Sequence, residues 1–174
     1  MKKILAIFLC LLMMLTFVAC DSGDGYKEDN GGGSDKPANA ASVKYYVNVG
    51  AVKVELGADA EGIISALGTP KSTEDKGNCG GQGTLTMYAY ASVTVYVLDT
   101  GKSKTIDQIT LLDDSVSTPE GIKIGSAQSD VKTKCKTPTK STDTYYTYTS
   151  GNNNLKFNFR DGSVSEINYI RTTG

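Results

Sequence analysis

One stretch of this chain is written nearly twice, and that repetition constrains the fold more than any other feature. "KVELGADAEGIISALGTP", Lys53 to Pro70, returns as "GIKIGSAQSDVKTKCKTP", Gly121 to Pro138. Without a gap, Val54 and Leu56 fall on Ile122 and Ile124, Gly57 on Gly125, and Ile63 on Val131. Leu67 falls on Cys135, and the Thr69-Pro70 pair on Thr137-Pro138. Each copy reads as a strand, a glycine, a helix and a Thr-Pro stop, because the apolar period changes after the glycine from strand-like to helix-like.

In the first copy Asp59 can cap a helix whose buried stripe is Ala60, Ile63, Ile64 and Leu67. Gly68 suits the left-handed position at its end, and Pro70 forbids continuation. In the second, Ser126 is the candidate N-cap, Asp130 sits in the first turn, and Ala127, Val131 and Cys135 recur on one face. Both helices are two to three turns long, so packing must hold them. Three strand candidates follow each: "TLTMYAY", "SVTVYVL" and "IDQITLL", then "TYYTYT", "NLKFNF" and "VSEINYI". Val93, Val95 and Val97, like Leu155, Phe157 and Phe159, alternate with polar or aromatic neighbours, the pattern of a sheet with one buried face. The N-terminal "VKYYVNV" precedes "KVELG" as "IDQITLL" precedes "GIKIG". The expectation is an α+β domain, 43–174, made of two tandem αβββ repeats, 43–113 and 114–174. Its short helices pack on one face of an antiparallel sheet. A unit of about sixty residues buries only about 60% of its unfolded surface, so two units sharing a core solve a problem that one cannot.

The ends carry an address. Lys2 and Lys3 precede an apolar run, Ile4 to Val18, too short for a membrane span of about 20 residues, so 1–19 reads as a secretory signal. Ala19-Cys20 ends it in the manner of a bacterial lipobox, which predicts a lipid on Cys20 and a membrane-anchored protein on the extracytoplasmic face. The stretch 20–42 is rich in glycine and charge with one aromatic, Tyr26, and reads as a tether reaching about 25 Å.

Composition removes several activities. There is no histidine, hence neither the commonest general base nor the commonest transition-metal ligand. Without Lys2 and Lys3, 16 basic side chains face 19 acidic ones with no basic patch, which argues against nucleic acid. No Gly-x-Ser-x-Gly is present. The acidic run Asp113 to Glu120 lacks the ligand spacing of an EF-hand and reads as a solvated linker. No metal, cofactor or catalytic residue is expected.

After signal removal and lipidation two thiols remain, Cys79 and Cys135. Export permits a disulfide between them, which would tie the two units together and contribute about 2–4 kcal/mol. The alternative is a buried Cys135 acting as a small hydrophobe beside an unrelated loop cysteine. Of the ten tyrosines, Tyr88 and Tyr90 recur as Tyr146 and Tyr148 and read as packing residues. Tyr96 faces opposite to the valines around it, Tyr145 opposite to Tyr146 and Tyr148, and one of Tyr45 and Tyr46 must point away from the core. Tyrosines on an open sheet face suit partner binding, being rigid and amphipathic, or form a surface ladder that only stabilises the sheet.

Tandem units with "GIxIG", a short helix, a Gly- or Lys-Thr-Pro stop, "YxY" and "LxFxF" resemble the β-lactamase inhibitor protein fold. The single-unit relatives of that fold are small outer-membrane assembly lipoproteins of the BamE/SmpA type. The linker "LLDDSVSTPEGIKIG" is similar to that of two-unit lipoproteins from Gram-positive gut bacteria. The resemblance implies a non-enzymatic binding module whose partner is a protein, either an envelope component or an enzyme to be inhibited. A small-molecule or glycan-binding lipoprotein is the alternative, and it predicts a concave aromatic pocket between the units.

Overall fold

The computed structural model describes residues 45–77 and 83–172. The signal segment 1–19, the tether 20–42 with Cys20, and Cys79 lie outside the described residues. A hairpin, β1 (Tyr46–Val49) and β2 (Val52–Glu55), precedes helix α1 (Ala60–Leu67). Four strands follow: β3 (Ser72–Asp75), β4 (Thr84–Ala89), β5 (Val93–Asp99) and β6 (Lys104–Leu111). Then come α2 (Gln128–Cys135), β7 (Lys140–Ser141), β8 (Tyr145–Ser150), β9 (Asn153–Arg160) and β10 (Ser163–Arg171). The fold is α+β. Among the described residues its main sheet has eight strands in the order β3-β4-β5-β6-β10-β9-β8-β7, and every pairing is antiparallel.

The registers line up the core. One row crosses six strands as Tyr88, Val95, Ile109, Tyr169, Leu155 and Tyr148. The next runs Val93, Leu111, Ile167, Phe157 and Tyr146. All are buried except Tyr88, which packs against the rest half-buried. The same cluster takes Ala60 from α1, Val131 and Cys135 from α2, and Val47 and Val54 from the hairpin. Tyr146 meets Phe159 edge-on at 4.7 Å, and Tyr148 meets Phe157 edge-on at 5.9 Å. Tyr90, Tyr146 and Tyr148 are therefore core residues, as the sequence predicts, because their parity matches that of the inward valines and phenylalanines.

The chain enters each helix through a glycine at positive φ, +76° at Gly57 and +85° at Gly125, where a Cβ is disfavoured. The Gly57 amide donates to the Ile106 carbonyl at 2.7 Å while the Ile106 amide donates to Ala58 at 3.0 Å. In the same way Gly125 donates to Val164 at 2.8 Å and Val164 donates to Ser126 at 2.8 Å.

Three local expectations need correction. Four strands, not three, follow each helix, because β3 and β7 pair at the two edges of the sheet. Both are wholly exposed, so no apolar alternation marks them; backbone pairing alone makes them strands. Their brevity, with Glu74 and Asp75 on β3, guards the edges against further pairing. The second correction concerns "VKYYVNV" and the pre-helix strand of the second copy; that of the first copy is β2. β1 pairs β2 in a separate two-stranded sheet, while "GIKIG" is no strand. With no preceding strand alongside it, that segment closes on itself: Thr118 donates to Ile122 and Gly121 donates to Thr118, both at 2.8 Å. The third concerns α2, whose N-cap is Ala127; the Ser126 hydroxyl accepts from the Lys123 amide at 3.0 Å instead.

The helix ends give a stability prediction. Gly68 ends α1 at φ 79°, ψ −152°, and Lys136 ends α2 at φ 61°, ψ −135°. Such backbone is close to glycine-only territory and costs a side-chain-bearing residue about 1–3 kcal/mol. Glycine returns about 0.5–1 kcal/mol of that through the freedom it gives the unfolded chain. Lys136→Gly is therefore expected to raise stability by about 1 kcal/mol in urea unfolding. An unchanged or lower midpoint would show that Lys136 carries no strain.

Candidate binding face

Residues that alternate with the core rows form the opposite face of the main sheet. One row there runs Met87, Tyr96, Gln108, Ile170 and Asn154, all half-buried. Its neighbour runs Ala89, Thr94, Thr110, Asn168 and Lys156. The centre of this face is polar but internally satisfied: Gln108 Nε2 donates to Thr110 Oγ1 at 3.2 Å, and Thr110 donates to Asn168 Oδ1 at 2.8 Å. Thr94 and Asn168 are each only 7% exposed, so the face offers few unmet hydrogen bonds at its middle and more apolar surface around Tyr96. One residue beyond β6, Leu112 is 49% exposed.

Tyr96 and Tyr145 both lie on this face, as their parity in the strands predicts. They are not neighbours: β6, β10 and β9 separate their strands, which sets them about 19 Å apart across the sheet. Tyr145 sits opposite Asn158, whose amide donates to the Glu166 carboxylate. The Lys156 and Lys140 ammonium groups lie 4.9 Å and 5.7 Å from the Tyr145 ring centroid. Tyr145 is thus an aromatic platform inside a local positive field, whereas Tyr96 lies between Met87 and Gln108.

Cys135 closes α2 at 2% exposure, without a disulfide partner among the described residues. Burial, with the Glu120 carboxylate second, pushes that thiol up to about 12, so it does not supply a thiolate near neutral pH. Its expected disulfide partner, Cys79, and the lipidation residue Cys20 lie outside the described residues.

Two polar arrangements were not anticipated from sequence. A bulge between Tyr96 and Val97 leaves Asp107 unpaired in the β5–β6 ladder. Its buried Oδ1 has no hydrogen-bond partner among the described residues; burial raises its pKa, and Arg171 acts in the opposite sense. Arg171 Nη1 itself donates to Thr105 Oγ1 at 3.2 Å. The second arrangement is at the linker, which is not simply solvated. Val116 and Thr118 are buried, and Glu120 Oε2 is buried without a hydrogen-bond partner among the described residues. The Glu120 residue also lines a cavity of about 450 Å³ together with Tyr46, Asn48 and Ser117. The only hint in the sequence is the alternation of Val116 and Thr118 with Ser115 and Ser117. Tyr46, which lines this cavity, is the member of the Tyr45-Tyr46 pair that turns from the core; Tyr45 packs against the core and donates to the Tyr148 carbonyl at 3.3 Å.

Set against known proteins, the chain matches no protein-family model, no curated protein and no solved structure.

Proposed function

We propose that this protein is a lipid-anchored, extracytoplasmic, non-enzymatic binding module built from two fused αβββ units. Its open sheet face engages a protein, an envelope component or an enzyme held inhibited. The observation that carries the reading is the half-buried row through Met87, Tyr96 and Ile170 on the face away from the core. Aromatic and long apolar side chains on a rigid sheet are the groups from which binding hot spots are made.

Duplication is supported by geometry beyond the repeated letters. Gly57 and Gly125 make the same contact with the last strand of their halves. The Lys71 amide donates to Ala89 at 2.7 Å as Thr139 donates to Thr147 at 2.8 Å. The ladder Tyr88, Val95, Ile109 corresponds to Tyr146, Phe157, Ile167. Ala60, Val131 and Cys135 share one core cluster with the inward rows, which favours both helices on that side and leaves the Tyr96 face free of them. These features fit the resemblance to the β-lactamase inhibitor protein fold and to BamE/SmpA-type lipoproteins. The absence of histidine from the chain favours binding over catalysis.

The test is capture by the full chain from its host's envelope and culture proteins, alongside Tyr96→Ala and Tyr145→Ala baits. One saturable protein partner is expected, with Tyr96→Ala weakening it by roughly 2 kcal/mol, about thirtyfold in Kd, at an unchanged thermal midpoint. Equal capture by the Tyr96→Ala bait would remove that face from the proposal. A small-molecule or glycan-binding lipoprotein is the second reading, favoured by the cavity beside Glu120.

A further inference from the structure

The cavity beside Glu120 has a composition that selects its occupant. The segment forming one wall is stitched to itself: besides the two turn bonds, the Ile122 amide donates to Thr118 Oγ1 at 3.2 Å. Buried Thr118 and Ile122 therefore anchor the backbone on either side of Glu120 and keep that residue in the cavity lining. β1 supplies the facing wall through Tyr46 and Asn48.

A buried carboxylate oxygen without a partner is expensive, and proteins ordinarily pair it. The cations around it are otherwise engaged. Lys134 donates to the Gly121 carbonyl at 3.3 Å, and Lys53 pairs with Glu55 while lying 4.5 Å from the Tyr46 ring centroid. Among the described residues Glu120 forms no ion pair. A second orphan lies within reach of the same charge: the Tyr169 hydroxyl is buried and unpartnered, and Glu120 is the leading charge acting on it.

The cavity lining holds one charge, negative, with hydroxyl and amide groups and one aromatic ring. Its volume falls in the ordinary range for small-molecule sites, about 300–1,000 Å³. A calcium ion requires about six to eight oxygen ligands. One carboxylate is a poor core for such a shell, and no cluster of three metal-binding side chains occurs among the described residues. An organic cation fits better, with its ammonium on Glu120, its hydroxyls toward Asn48 and Ser117, and Tyr46 as a wall.

We propose that this cavity binds a small hydroxylated amine, with the Glu120 carboxylate as the counter-ion of its ammonium group. The site is separate from the open sheet face and stands whether or not that face binds a protein.

The test is titration of the full chain with ethanolamine and with glucosamine, read by calorimetry and by the amide resonances of Ser117 and Gly121. N-acetylglucosamine and calcium chloride serve as controls. Saturable shifts are expected with glucosamine or ethanolamine below about 10 mM, with little response to N-acetylglucosamine, whose nitrogen is uncharged. Glu120→Gln should weaken binding by at least about tenfold. Glu120→Asp, which keeps the charge, should retain part of the binding and guards against a folding failure of the amide variant. Three results would each overturn the proposal: no saturation with either amine, equal binding of N-acetylglucosamine, or unchanged amine binding in Glu120→Gln. Calcium binding that excludes the amines would also overturn it, in favour of a metal site.

Discussion

Phe157→Ala is expected to remove about 3–5 kcal/mol of folding stability. Phe157 is fully buried, is paired across the sheet with both Ile167 and Tyr146, and meets the Tyr148 ring edge-on. Truncation removes the transfer energy of the ring and the edge contact, and leaves a cavity on the core face of the sheet, whose paired backbone cannot move in to fill it. A domain of this size has only about 5–15 kcal/mol in total, so the loss is a large share. The way it unfolds is as informative as the size of the loss. β6 and β10 pair at the centre of the sheet, Ile167 opposite Leu111 and Tyr169 opposite Ile109, so the two halves have no solvent between them. The variant should therefore melt in one transition, with far-ultraviolet dichroism and tyrosine fluorescence coinciding. Two separated transitions would show that the halves fold independently and that the shared core is not what holds them.

That shared core was legible from parity. Val93, Val95 and Val97, with Leu155, Phe157 and Phe159, announced the inward rows, and the tyrosines at matching parity joined them. The edges were not legible. "STED" and "KS" carry no apolar period, and they are strands because β4 and β8 offer them free backbone groups. "GIKIG" shows the converse: an apolar alternation with no adjacent strand becomes a turn, and its isoleucines serve the core from there. The same division applies to the candidate sites. Parity put Tyr96 and Tyr145 on the outer face, but their separation depends on the strand order, in which β10 enters beside β6 rather than at an edge. Glu120 looked like one more charge in an acidic linker. That it shares a cavity with Tyr46 and Asn48 of β1 is a long-range fact that no local pattern encodes.

The region around Glu120 also sets how the protein fails in alkali. Burial, the largest cause in each case, pushes Tyr45 and Cys135 up to about 12, and lifts Tyr148 and Tyr169 further above the ordinary tyrosine value of 10.0. The Glu120 charge adds to the shift at all four. Each group ionises more readily unfolded than folded, so the stability that depends on their neutrality is fully present below their unfolded values, 9.0 for the thiol and 10.0 for the phenols. It is lost progressively as pH rises through that point towards about 12. Because two buried phenols, the partly buried Tyr45 and a thiol act in the same direction, the expected outcome is cooperative unfolding within that window. Tyrosinate absorbance from the buried rings should appear together with the loss of far-ultraviolet dichroism. In Glu120→Gln the carboxylate no longer opposes their ionisation, so the folded-state values fall towards the unfolded ones and the alkaline midpoint should move to higher pH. Smooth titration of all the tyrosines with the dichroism intact would mean that the buried hydroxyls reach water without the sheet opening. An alkaline midpoint unmoved by Glu120→Gln would mean that the carboxylate exerts no appreciable field on the core behind it.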